Sequence, residues 1–178
     1  LTDAGYLEAR EPAFLMGVVA DQPGPGFGVA LLDLSTGEFT ATEYLGGDAR
    51  QALADELAVL RPREIVTPAT LVDIAALPRE LNLQRLVTNA DDWTFEFESA
   101  RRSLLDQLRT QSLQAFGLED RPAATRPAGS LVQYLRETQK ADLSHIREVG
   151  FRTGSDCLVV DPTTLRNLEV IEWSQGGR

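Results

Sequence analysis

Residues 27–39, with the sequence Phe-Gly-Val-Ala-Leu-Leu-Asp-Leu-Ser-Thr-Gly-Glu-Phe, give the clearest indication of fold in this 178-residue chain. The uninterrupted apolar run at residues 29–32 is typical of a strand that is covered on both faces. Ser35, Thr36 and Gly37 predict a tight turn after it, because glycine adopts positive φ without steric cost. The stretch therefore predicts a buried strand that reverses at Gly37 into a second strand.

Two further segments extend this central strand into a sheet. Upstream, residues 14–20 form a second apolar run, and the turn-forming residues 21–25 separate it from the central strand. Downstream of Glu38, side chains alternate with a period of two, which is typical of a half-exposed strand. One face would carry Phe39, Ala41 and Glu43, and the other Thr40, Thr42 and Tyr44. The three segments predict an antiparallel meander.

Helices and strands alternate after the meander. A motif resembling a capping box begins a helix at Asp48, and the helix is predicted to end before Pro62. Residues 64–67 predict a short strand, residues 70–77 a short helix and residues 83–88 another strand. Because a strand–helix–strand connection pairs its strands in parallel with a right-handed crossover, we expect an α/β fold with a mixed sheet.

The second half of the chain is mainly helical. Residues 99–109 predict a helix with charged residues on its outer side, and a further helix follows with Pro127 in its first turn or at a kink. The inward face of that helix would carry Ala128, Leu131, Val132 and Leu135. Residues 146–151 and 157–160 are strand-like, and Asp161 begins a trailing helical segment.

Charge and composition exclude several classes of function. The net charge is −10 and the isoelectric point about 4.6, which disfavours nucleic-acid binding by this region alone. Residues 93–98 combine aromatic side chains with carboxylates instead of the Lys or Arg of a base-stacking platform, so we expect this segment to anchor the following helix to the core. No apolar stretch approaches the ~20 residues that span a bilayer. The single cysteine, Cys157, lies in an apolar run and is interpreted as buried, and a cytoplasmic location is expected.

The sequence contains no recognisable catalytic motif. It has neither a Gly-x-Ser-x-Gly elbow nor a Gly-x-x-x-x-Gly-Lys-Ser/Thr phosphate-binding loop. Gly24, Gly26 and Gly28 lie among prolines and lead into a strand, so they predict a hairpin turn and not a dinucleotide site. The only histidine, His145, is interpreted as a structural or surface residue. The region is therefore predicted not to be an enzyme.

One catalytic alternative follows from the order of the predicted elements. Three antiparallel strands followed by alternating helices and parallel strands is the order of a ribonuclease H-like fold, whose nucleases bind two divalent ions through carboxylates. The candidate ligands would be Asp33 with Asp21 or Glu38. The simpler interpretation of Asp33 is a role in the adjacent turn, and a fold alone does not establish a function.

From Trp93 onward, short motifs occur in an order that is specific enough to indicate a family. They are Trp93-x-Phe95-Glu96, Ala100-Arg101, Phe116-Gly-Leu-Glu-Asp-Arg-Pro122, Ala128-Gly129-x-Leu131-x-x-Tyr134-Leu135, Glu137-Thr138-Gln139, Leu143-x-His145-Ile146 and Val160-Asp161-x-x-Thr164-x-Arg166-Asn167-Leu168-Glu169. Residues 28–39 and the motif Glu56-Leu57 … Leu60-Arg61-Pro62-x-Glu64-Ile65 agree with them. Along essentially its whole length, the chain resembles the bacterial MutS family of mismatch-recognition ATPases.

This resemblance implies a domain organisation. Residues 1–12 would be the linker that follows the mismatch-reading domain, and residues 13–150 the connector domain, which has a ribonuclease H-like fold without nuclease activity. Residues 151–178 would begin the core and lever region. The chain begins at Leu1 instead of Met, and we expect it to be a piece of a longer protein.

The resemblance also implies a function. The connector would transmit conformational state between the mismatch-binding and ATPase parts and contribute to docking of MutL. The helix that begins near Ser99 matches the MutL-facing region, so Arg102 and Ser103, which a helical wheel places outward, are the predicted MutL contacts. Other partners would be the remaining MutS domains, a second MutS subunit and, through the whole protein, mismatched DNA.

Two family motifs are missing from this chain. The Phe-x-Glu triplet that reads mismatches does not occur, and neither does the phosphate-binding loop of the ATPase. Mismatch recognition and ATP hydrolysis would therefore belong to other parts of the longer protein. Its ATP and Mg²⁺ would bind there, and we expect no cofactor in this region.

Overall fold

The computed structural model of the chain describes residues 13–21, 24–69, 86–138 and 143–152. Within them a six-stranded sheet has the order β5-β4-β1-β2-β3-β6. The strands are β1 Phe14–Asp21, β2 Gly26–Asp33, β3 Phe39–Tyr44, β4 Glu64–Pro68, β5 Val87–Ala90 and β6 Gly150–Arg152. The predicted linker at 1–12, the helix at 70–77, the strand at 157–160 and the trailing helical segment lie outside the described residues.

The sheet combines antiparallel and parallel pairs as predicted. β1, β2 and β3 form an antiparallel meander, with Phe14 opposite Asp33 and Phe27 opposite Tyr44. β4 joins β1 in parallel, β5 joins β4 in parallel, and β6 joins β3 in parallel. The mixed α/β sheet and the ribonuclease H-like arrangement expected from the sequence are confirmed.

In the described residues, three α-helices cover the two faces of the sheet. Helix α1 (Ala49–Leu60) packs on one face, and helices α2 (Phe97–Leu108) and α3 (Pro122–Thr138) pack on the other. Every residue of β2 is buried, which confirms the prediction of a strand covered on both faces. Its side chains alternate between the two apolar clusters, so the sheet is the middle of three layers.

Two glycines allow the helices to approach closely. A Cβ atom on Gly28 in β2 would lie 1.7 Å from the carbonyl oxygen of Ala123 in α3. A Cβ atom on Gly129 in α3 would lie 2.1 Å from the carbonyl oxygen of Ala100 in α2. Both distances are far shorter than van der Waals contact, so only glycine fits at either position. These contacts fix α3 on the sheet and α2 on α3.

Several predicted boundaries are wrong. Leu86 lies in a turn, so β5 begins at Val87. β6 begins at Gly150 and not at residue 146, because residues 143–146 form a turn closed by the Ile146 N–H and the Leu143 carbonyl. The predicted capping box is also wrong, since Asp48 is at the N-cap of α1 without a side-chain hydrogen bond. In the aromatic segment, Phe95 is 2% exposed and anchors the core, but Trp93 is 48% exposed.

Candidate functional site

The outer face of α2 is a charged, solvent-exposed surface. Ala100, Leu104 and Leu108 face inward at helical spacing and are buried. The opposite side carries Glu98, Arg102 and Asp106, all exposed and four residues apart, which we call the α2 stripe. Burial of one side of the helix fixes its orientation, so the stripe presents its charges outward.

The two residues predicted as MutL contacts differ in their surroundings. Arg102 is exposed, and the ion pairs among the described arginines involve Arg101, Arg121 and Arg152 instead. Ser103 is half-buried, and its hydroxyl donates a hydrogen bond to Gln133 Oε1 on α3 at 3.3 Å. The prediction that Ser103 points outward is therefore wrong. Its assignment as a MutL contact, like that of Arg102, stays a prediction.

Helix α2 is also connected to the chain that enters β6. The side-chain amide of Gln107 donates to the carbonyl oxygens of Leu143 at 2.8 Å and Ile146 at 3.0 Å. Arg136 on α3 donates in turn to Gln107 Oε1 at 3.2 Å. The turn at residues 143–146 is thereby connected to both helices.

A cluster of polar and charged side chains lies at the N-terminus of α3. Glu43 on β3 accepts a hydrogen bond from the Ala124 backbone N–H at 3.3 Å, at the end of the helix where negative charge is favourable. Burial raises the pKa of Glu43 above its ordinary value of 4.5, and the nearby charge of Asp21 also raises it. The backbone amides and the guanidinium of Arg121 act in the opposite direction. Arg121 also lies 4.5 Å from the ring centroid of Phe151, so it links α3 to β6.

Another polar cluster joins β4, β5 and α3. Tyr134 on α3 and Thr88 on β5 both donate to the same carboxylate oxygen of Glu64, the latter at 2.7 Å. Burial, and then the hydrogen bond and charge of Glu64, raise the pKa of Tyr134 above its ordinary value of 10.0. Sequence reasoning missed this cluster because its members lie far apart in the chain.

A buried polar cluster lies between β3, α1 and β6. Glu56 is 1% exposed, and its carboxylate accepts a hydrogen bond from the Tyr44 hydroxyl and pairs with Arg152 at 2.8 Å. Arg152 Nε donates to Thr40 Oγ1 at 3.0 Å, and the Thr42 hydroxyl donates to the Arg152 carbonyl oxygen. The polar face of β3 is therefore largely covered. The prediction of a half-exposed strand is wrong, because alternation cannot distinguish solvent from a buried polar partner.

The carboxylates of the nuclease alternative are arranged for turn formation. Asp33 is buried and accepts hydrogen bonds from the Ser35 N–H at 2.9 Å and the Ser35 hydroxyl at 2.6 Å. Glu38 is exposed, and its backbone carbonyl accepts a hydrogen bond from the Asp33 N–H. Asp21 lies at the opposite end of the β1–β2 pair, roughly 23 Å away at about 3.3 Å per residue, so it cannot share an ion with Asp33. Among the described residues, no cluster of three or more metal-ligating side chains is found.

Comparison with known proteins identifies the family. A family model described as MutS domain II matches residues 13–147, which is most of the chain. The chain belongs to the MutS family. It is 35% identical to the DNA mismatch repair protein MutS of Roseiflexus castenholzii (strain DSM 13941 / HLO8) over 99% of its length, and 34% identical to that of Roseiflexus sp. (strain RS-1), also over 99%. It spans 19% of each of these MutS relatives. No helix in the described part of the chain is both long and apolar enough to cross a membrane.

Proposed function

We propose that this region is the non-catalytic connector of a MutS-type mismatch repair protein, and that it transmits conformational state and docks MutL. The observation that carries the proposal is the match of residues 13–147 to MutS domain II. In this assignment residues 1–12 are a linker, residues 13–150 the connector and residues 151–178 the start of the core. Mismatched DNA, ATP, Mg²⁺ and a second subunit would bind elsewhere in the cytoplasmic full-length protein.

The packing of the helices supports a role in transmission. Transmission between distant parts requires elements that move as units, and α3 contacts the sheet and α2 through glycines that leave no free space. Gln107 extends this connection from α2 to the turn before β6. In this proposal, a force on the outer face of α2 would be passed through Gln107 to the turn before β6.

The α2 stripe supports a role in docking. Its charges are exposed and alternate in sign, and they lie on a helix whose orientation is fixed by its buried side. Complementary charges on a partner would accelerate encounter and set the register of the complex. Arg102 is the central cation of the stripe, and its exposure leaves it accessible to a carboxylate on MutL.

The test is the substitution Arg102→Glu in the full-length protein. We expect recruitment of MutL to the ATP-bound protein on mismatched DNA to weaken about 10-fold, because an attractive contact becomes repulsive. Arg50→Glu is the matched control, since Arg50 is also exposed but lies on α1, on the opposite side of the sheet. Ser103→Glu is unsuitable because it would also disturb the contact with Gln133.

The outcomes separate docking of MutL from the nuclease alternative. Weaker recruitment in Arg102→Glu, with mismatch binding unchanged and Arg50→Glu normal, supports docking through the α2 stripe. Unchanged recruitment in both variants would remove the docking role of Arg102. Mn²⁺ binding with cleavage of nucleic acid, lost in Asp33→Asn, would instead establish the nuclease alternative with Asp33 and Glu38.

A further inference from the structure

Among the described residues, β6 is the last strand in the order of the sheet. Its described residues are Gly150, Phe151 and Arg152, and they pair in parallel with β3 so that Gly150 is opposite Thr40 and Arg152 is opposite Thr42. The three described pairs provide few backbone hydrogen bonds, and so few pairs specify a register weakly. A slip by one residue would exchange the faces on which Phe151 and Arg152 lie.

Side chains on both faces favour the observed register. On the face of α2 and α3, Phe151 packs against the apolar cluster between the sheet and these helices and beneath the guanidinium of Arg121. On the face of α1, Arg152 pairs with Glu56 and donates to Thr40. The polar side chains on the α1 side are connected to one another, and we call them the β6 network. It consists of Thr40, Thr42, Tyr44, Glu56 and Arg152.

The charged side chains of the β6 network favour one strand register more than they stabilise the folded state. Glu56 and Arg152 are 1% and 8% exposed, so both charges are removed from water at a substantial desolvation cost. Apolar side chains of similar volume would stabilise the same space at least as well. A guanidinium, however, makes directional hydrogen bonds in a fixed plane, and here it meets Glu56 and Thr40 at once. Both contacts form with Arg152 opposite Thr42, and a slip by one residue would move Arg152 to the other face and break them.

We propose that the β6 network specifies the register of β6 against β3. The buried carboxylate of Glu56 selects the face on which Arg152 lies, and Thr42 binds the carbonyl oxygen of Arg152 in that arrangement. The consequence for transmission within a MutS protein rests on the proposed function. The register itself does not depend on it.

The experiment is amide hydrogen exchange on the 178-residue chain with the double substitution Glu56→Met/Arg152→Met. It replaces both charges with apolar side chains of similar length and leaves no unpaired charge. We expect the thermal midpoint to be retained while protection of the β6 amides falls at least about 10-fold relative to β1 and β2. Arg101→Met/Glu119→Met is the control, because these side chains are 30% and 42% exposed and their charges lie 3.8 Å apart.

A smaller change keeps the test decisive if the double variant does not fold. Tyr44→Phe removes only the hydroxyl that donates to Glu56 and keeps the buried ring. We expect a local loss of β6 protection of about 3-fold, with the remaining strands unaffected. Unchanged β6 protection in the folded variants would overturn the proposal. So would an equal loss across all strands, because the network would then contribute to stability without specifying register. Neither result would bear on docking of MutL.

Discussion

Two arginines of this domain show how surroundings determine what the same side chain does. Arg102 is exposed on the α2 stripe, whereas Arg152 is 8% exposed and paired with Glu56 beneath α1. The exposed guanidinium is accessible to a partner but adds little to folding, because water screens its charge. The buried guanidinium is inaccessible to a partner, and its removal would leave a buried carboxylate without its counter-ion. Substitutions at the two positions should therefore affect different properties.

The largest effect is expected for Arg152→Met. The substitution leaves Glu56 buried and without its cation, and breaking a buried ion pair in this way costs about 3–5 kcal/mol of unfolding free energy. Urea denaturation of the 178-residue chain measures it. Arg102→Met is the control, and similar losses in the two variants would mean that burial does not distinguish these arginines.

The next largest effect is expected for Gly129→Ala. Alanine favours an α-helix by about 1 kcal/mol over glycine. Its Cβ, however, would lie 2.1 Å from the Ala100 carbonyl oxygen, and overpacking costs about 1–3 kcal/mol. Because the obstacle is backbone and cannot rotate away, we expect a net loss of about 2 kcal/mol in denaturant unfolding. A stabilised variant would show that α2 can move away from α3, which would weaken the argument for transmission.

A smaller, pH-dependent effect is expected for Glu43→Gln. Burial raises the pKa of Glu43 above 4.5, so the folded chain binds a proton more tightly than the unfolded chain does. The wild type should therefore lose stability relative to the Gln variant as the pH rises above 4.5 and through the raised pKa. Thermal unfolding from pH 4 to 7 tests this, with the exposed Glu38→Gln as the control for losing one carboxylate. A difference that shrinks with rising pH would contradict it.

The smallest effect on folding is expected for Arg102→Glu. Because Arg102 is exposed, the free energy of unfolding should change by no more than about 0.5 kcal/mol. Urea denaturation of this variant beside Arg152→Met measures the contrast directly. If Arg102→Glu were instead strongly destabilised, any loss of MutL recruitment could not be attributed to docking.

Much of the fold could be predicted because local patterns determine it. The apolar run at residues 29–32 and the turn at Gly37 predicted β2 and the hairpin correctly, since burial on both faces requires such a run. Helix α2 could be predicted within two residues of its start from its apolar spacing. Boundaries such as the start of β5 were wrong because pairing with a neighbouring strand, and not propensity, determines where a ladder begins.

The candidate site could be predicted only in part. Helical spacing correctly placed Arg102 on the outer face of α2. It misplaced Ser103, because a helical wheel shows direction around an axis but not how widely the neighbouring helix covers the surface. The polar side of β3 could not be predicted as buried, since its partners Glu56 and Arg152 are 12 residues from Tyr44 and 110 residues from Thr42.

The sequence by itself determined the family, the mixed α/β class and the strands and helices with strong periodicity, because these depend on residue order and on interactions between near neighbours. Only the tertiary structure decided which charges are available to a partner and which are bound internally. That distinction depends on desolvation, which is set by segments distant in the chain that pack around a side chain. Arg102 and Arg152 are the same type of residue, and the fold places one on the surface and the other in a buried ion pair.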